Sequence, residues 1–312
     1  MFQLFKKRTF SSYINDTFDF FKVEGKNYIK NYFLINGGFL VLMMICFYFV
    51  FQFYFDIIKQ QAYGFDSDYF INYMGENPFL IFFFALLLFL LSMVFSAISY
   101  SYPTLYLKNM EKHPGKTITT EMIIADLKQN FGRILLYLLG LFFIIFPLSM
   151  FAFGFSILLV FIIIGIPILF LLFPSILSVI MLSYNDYLIK ETSFFKSYGM
   201  AIKMLKKNFW PIIGSTFIMY LVLQIITTVF TAIPQMMMVF QLFTSLETKV
   251  DYTQSAEYSI LYMITIIISM IVGFVLNNLI LINQGLIYYS EREVMENNQS
   301  RFDIEQLGQN NE

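Results

Sequence analysis

Ser269, Gly273, Asn277 and Gln284 follow one another at spacings of four, four and seven, with Asn278 and Asn283 beside them, in a stretch otherwise rich in Ile, Leu, Met and Val. On a helix these positions share one face. Gln224 and Thr227 begin a second such stripe that continues to Thr228 and Thr231, and Ser92, Ser96 and Ser99 make a third. Uncharged amides and hydroxyls among apolar residues have two uses: they line a route for a polar solute or lipid headgroup, or they bond across to a neighbouring helix. The second use, worth about 0.6–2 kcal/mol per bond, is the commoner one. Gln224, Thr227, Ser269, Gly273, Asn277 and Gln284 are therefore the candidate polar seam.

Other chemistry is excluded by what is missing. The single histidine, His113, lies in a Lys-rich loop, so no two-His metal site, His-based triad or four-His iron centre can be assembled. The chain has no G-x-S-x-G, H-E-x-x-H, Walker or G-x-G-x-x-G pattern. Its one cysteine, Cys46, sits in an apolar run and permits no internal disulfide. The acid pairs Asp66/Asp68 and Glu291/Glu293 read as solvated loop charges. These observations predict no enzyme, no catalytic residue, no metal and no cofactor.

The elements that hold the seam follow from composition. A chain of 312 residues that is 58% hydrophobic, 20% aromatic and 13% charged cannot cover a soluble surface. About 20 residues at 1.5 Å each cross a ~30 Å hydrocarbon core. Apolar runs of that length predict spans at about 33–55, 78–100, 134–153, 157–182, 210–232 and 259–289, within a membrane domain over 33–290. Spans three and four are joined by the short turn FGFS. Residues 1–32 are expected to form a basic amphipathic interfacial segment, and 291–312 an acidic, mobile tail. The N-terminus is too polar for a signal peptide, so the first span is expected to persist.

The organising device is the stretch Thr192–Ile233. Phe194, Phe195, Tyr198, Ala201, Ile202 and Leu205 recur at helical spacing, while Lys196, Lys203, Lys206 and Lys207 fall elsewhere, as on a helix lying at the membrane surface. Trp210 and Pro211 then mark entry into a span. Residues 13–32 and 119–131 have the same character, with an Asn-aromatic step in each copy: Asn27-Tyr28, Asn130-Phe131 and Asn208-Phe209. Threefold duplication and independent recurrence of surface helices both produce this pattern. With these spans, eighteen of the twenty Lys/Arg fall on the side of the N-terminus, only Lys59 and Lys249 on the other. The positive-inside rule then places both termini in the cytoplasm. The fold class is all-α integral membrane: six transmembrane helices in three hairpins, each preceded by a cytoplasmic-side amphipathic helix.

The basic helix SFFKSYGMAIKMLKKNFWPIIG and the closing NQGLIYYSERE resemble a set of six-span bacterial membrane proteins that includes the membrane domain fused to some glycerophosphodiester phosphodiesterases. The resemblance implies a fold and a membrane-lipid context, and no catalytic residue. The expected function is a non-enzymatic scaffold or accessory protein of a bacterial inner membrane. Its expected partners are membrane lipids and a membrane protein or a second copy, with no nucleic acid, since net charge is −1. The alternative is a carrier for a lipid or small polar solute along the seam of spans two, five and six.

Overall fold

A computed structural model of the chain describes residues 2–62, 75, 78–248 and 256–297. The described secondary structure is helical: α1 (Phe10–Ala62), α2 (Pro78–Lys112), α3 (Thr120–Gly140), α4 (Phe146–Leu158), α5 (Gly165–Ile189), α6 (Phe194–Lys207), α7 (Phe209–Thr248) and α8 (Ala256–Glu296). Six stretches are long and apolar enough to cross a membrane: Phe10–Phe51, Phe82–Lys112, Thr120–Phe161, Gly165–Ile189, Phe209–Met237 and Ile260–Glu296. Only 6–22% of the most apolar window of each is buried within the protein, which a soluble core would not allow. This is the architecture of a multi-pass membrane protein.

The expected alternation of surface helix and span is realised as a break only once. Residues 13–32 and the run from Phe33 form the unbroken α1, because nothing between them interrupts the hydrogen-bond ladder. Residues 119–131 likewise continue into the next span. There a π-helical turn, Leu141–Ile145, lies just before Pro147, whose ring and missing N–H conflict with the carbonyl four residues back. In the third copy Pro211 would collide with the carbonyl of Lys207, and α6 ends at that residue. Asn208 leaves helical geometry (φ −130°, ψ 48°) before α7 starts.

The turn between spans three and four is also displaced from FGFS, which lies inside or at the end of α4. The chain turns through a short 3₁₀ segment, Leu159–Ile162, and Ile163 at φ 68°. A branched residue there is strained. Gly165 follows because a Cβ would stand 2.3 Å from Val160 N and 2.4 Å from Ser156 O.

By contact density the chain divides into two units. The first comprises residues to Ile35, Ala97–Leu223 and those from Asn277; the second comprises Asn36–Ser96 and Gln224–Leu276. The first has an aromatic and polar core. Phe20, Tyr28, Tyr102 and Tyr106 meet edge to face at 4.9–6.1 Å, and Tyr102 OH donates to Tyr28 O. A second cluster gathers Tyr137, Tyr184, Tyr187, Phe194 and Tyr198, with Tyr137 OH 3.0 Å from Tyr198 OH. In the second unit Phe95 meets Phe274 edge to face at 4.9 Å, and otherwise side chains from α1 and α8, such as Leu40, Met43 and Ile271, pack together.

The α4–α5 turn gives two expectations of opposite sign. Gly165→Ala meets backbone that cannot yield and should lower stability in detergent by 3 kcal/mol or roughly more, beyond ordinary overpacking. Ile163→Gly removes a left-handed branched residue and should raise stability by about 1 kcal/mol. Thermal unfolding of the two variants checks both.

Candidate functional site

The end of α8 is where α1, α2, α5 and α7 converge. Asn278 Oδ1 accepts from Tyr28 OH at 2.6 Å, and Asn283 Nδ2 donates to Tyr13 O and Thr17 Oγ1 of α1. Gln284 Nε2 donates to Thr216 Oγ1 of α7 at 2.7 Å, and Thr216 Oγ1 lies 2.9 Å from Ser178 Oγ of α5. Gln284 is fully buried, and its Oε1 has no partner among the described residues; ordered water is the usual complement of such an atom.

Further along, Tyr288 OH donates to Asp186 at 3.2 Å and Tyr289 OH to Glu111 at 2.8 Å. Glu111 also takes a two-pronged contact from Arg292, at 2.9 and 3.0 Å. Glu291 accepts from Tyr13 OH at 2.8 Å and from the Asn208 amide nitrogen, which stands 2.8 and 2.9 Å from its two oxygens and shares a hydrogen between them. The same carboxylate therefore holds the start of α1 and the break between α6 and α7. Ahead of α1, Arg8 Nε bonds Asp16 at 2.8 Å; burial pulls the Arg8 guanidinium below its ordinary pKa, and Asp16 opposes the shift.

These acids correct the reading of Glu291 and Glu293 as solvated loop charges. Both are buried, α8 continues to Glu296, and the expected tail is structured at its start. Residues 298–312, like Asp66 and Asp68, lie outside the described residues. The missed signal was the spacing of Gln284, Tyr288 and Glu291/Arg292, which prolongs one helix face with groups that need partners.

Gln224, Thr227, Ser269 and Gly273 belong to the second unit, Asn277 and Gln284 to the first. Asn277 is half-buried. Ser269 has a specific task. Pro234, inside α7, has no N–H to offer the Phe230 carbonyl four residues back, and Ser269 Oγ of α8 stands 2.9 Å from that oxygen. The hydroxyl proton is shared with Thr265 O at 2.8 Å. Gly273 marks no close approach of helices, since a Cβ there would meet nothing within 4 Å. Thr227 Oγ1 donates to Gln224 O at 3.1 Å, while the Gln224 side chain is exposed.

On α6, Lys196, Lys203, Lys206 and Lys207 are exposed, as is Trp210 at the start of α7. The expected apolar face divides: Tyr198, Ala201 and Leu205 are buried against protein, but Phe195 and Ile202 point outward, 72% and 43% exposed. His113 Nδ1 lies 3.3 Å from Asn109 O, at the end of its own helix. Among the described residues no cluster of His, Cys, Asp or Glu has the make-up of a metal site.

In comparisons with known proteins, no family model, no curated protein and no solved structure matches the chain.

The Ser269 arrangement is checked by a double-mutant cycle. Ser269→Ala should cost about 1 kcal/mol of stability by leaving the Phe230 carbonyl bare. In a Pro234→Ala background, where the helix supplies its own N–H, the same change should cost close to nothing. Equal losses in both backgrounds would refute the assignment.

Proposed function

We propose that the protein is a non-enzymatic scaffold of a bacterial cytoplasmic membrane, with both termini cytoplasmic, whose basic helix faces rest on anionic lipid headgroups. The observation that carries this reading is a pattern repeated on three helices of the first unit. Each buries one face in protein and exposes lysine beside apolar side chains on another. On α1 these are Lys22, Lys26 and Lys30 with Val23 and Ile29; on α3, Lys128 with Ile124 and Phe131; on α6, the four lysines with Phe195 and Ile202. A lysine near an anionic surface gains on the order of 1 kcal/mol, and apolar neighbours can enter the acyl boundary. Six spans in three hairpins, entered from the cytoplasm, accord with the strong Lys/Arg bias of the sequence. The lipid context also accords with the resemblance to six-span bacterial proteins.

A carrier needs polar groups that face a solute. Gln284 is enclosed and bonded to Thr216, and Ser269 is engaged with the Phe230 carbonyl. Both bonds favour helix-to-helix fastening over a route.

Mass spectrometry of lipids retained by the purified protein tests the proposal. Anionic lipids should be enriched around the wild type, and replacing Lys196, Lys203, Lys206 and Lys207 with Gln should remove much of that enrichment without unfolding the protein. An unchanged lipid profile would sink the headgroup reading. Gln284→Leu should lower the unfolding temperature and leave the lipid profile as it was. A fold of normal stability that loses one specific retained molecule would instead favour the carrier.

A further inference from the structure

The outward surface of α7 has two unlike faces. Ile225, Val229, Ile233 and Met236 are exposed and wholly apolar, as a lipid-facing surface should be. Gln224, Thr228, Thr231 and Gln235 are exposed too, and their spacings of four, three and four put them on one narrow stripe. The stripe is about 16 Å long at 1.5 Å per residue, roughly half the hydrocarbon thickness. Thr231 Oγ1 bonds its own helix at Thr228 O, 3.2 Å away. The two glutamine side chains have no hydrogen-bond partner among the described residues. Gln224 lies inside the apolar stretch Phe209–Met237 and Gln235 at its end; an amide left in hydrocarbon is costly, so the stripe is a surface made to be covered.

We propose that the cover is the same stripe of a second copy, making a parallel dimer through α7. The chemistry of the stripe favours this occupant. It carries no charge, so it does not call for a partner of opposite sign. A primary amide holds two donors and an acceptor and is therefore its own complement: a twofold axis along the membrane normal sets Gln224 against Gln224 and Gln235 against Gln235, as an isologous interface requires. Copies inserted with one topology can meet in no other sense about that axis. The threonines between the amides are small enough for close approach of the two helices. A recess of 260 Å³ opens beside Thr231 and Gln235, lined also by Pro234, Tyr262, Ile266 and Ser269, among others. It is smaller than the roughly 300–1,000 Å³ usual for small-molecule sites and has the scale of a socket for a partner's side chain.

Disulfide scanning in native membranes tests the dimer. Cys46 is the chain's one cysteine, so a Cys46→Ala background is silent. In it, Gln224→Cys, Thr228→Cys, Thr231→Cys and Gln235→Cys should each give a cross-linked species of twice the chain mass on oxidation, whereas Ile225→Cys, Val229→Cys and Ile233→Cys should not. Native mass spectrometry of the wild type should show two copies. The double variant Gln224→Leu/Gln235→Leu should dimerise about tenfold more weakly while keeping its helical content and lipid profile. Cross-linking no stronger on the stripe than on the lipid face, a wild type that is monomeric throughout, or adducts at the stripe with a different protein would each overturn the proposal. If the double variant fails to fold, the periodicity of the single-cysteine scan still decides.

Discussion

A carbonyl or amide inside hydrocarbon has no water to turn to, and a bare one costs several kcal/mol. That constraint explains where polar side chains occur and how they are used. Hydroxyls along the spans bond mainly to their own helix: Ser156 to Ala152 O, Ser175 to Leu171 O, Thr265 to Leu261 O. Such bonds need no neighbour and leave the outer surface apolar. Ser269 does both because Pro234 creates an orphan on the adjacent helix: it bonds its own Thr265 carbonyl and also reaches across to Phe230. A proline thus dictates the residue type opposite it.

In the first unit the same constraint is met by a network. Residues 278–292 of α8 supply amides, phenols, a guanidinium and a carboxylate, and these bond to α1, α2, α5, α7 and the α6–α7 break. Glu291 is fully buried, and its described donors are neutral: one phenol and one amide. A buried carboxylate is expensive, and the donated phenol and amide hydrogens are what make its place tenable. Such groups are poor sources of net stability. What they supply is uniqueness, because no other register of α8 would offer the donors in those places.

How much of this was legible in the sequence depended on the range of the signal. Apolar runs of about twenty residues are local and long, so the six spans stood out; the positions of their ends did not. Whether a surface helix breaks before its span turned on a single residue, Pro211, which forbids a helix through Lys207, whereas the first two copies have no proline so placed. The task of Ser269 was half legible, since Pro234 by itself implies a bare Phe230 carbonyl, but which side chain meets it is a matter of packing. Glu291 was misread because acids after a span are ordinarily solvated, and only the folded chain brings Tyr13 and Asn208 to it from 278 and 83 residues away.

The same pinning bears on how α6 could act at a membrane. A surface helix that floats on lipid must be ordered by the lipid itself, and that ordering weakens the net attraction. Here the helix is held before any lipid arrives. At its start Thr192 Oγ1 bonds Asp186 at 2.8 Å while Arg133 donates to the Thr192 carbonyl; at its end Asn208 is held by Glu291. Between them Tyr198, Ala201 and Leu205 are buried in protein. Phe195, Ile202 and the four lysines are therefore displayed on a rigid support. Whatever they contact is met by a preformed surface, and specificity for charge then rests on spacing that the protein core has already set.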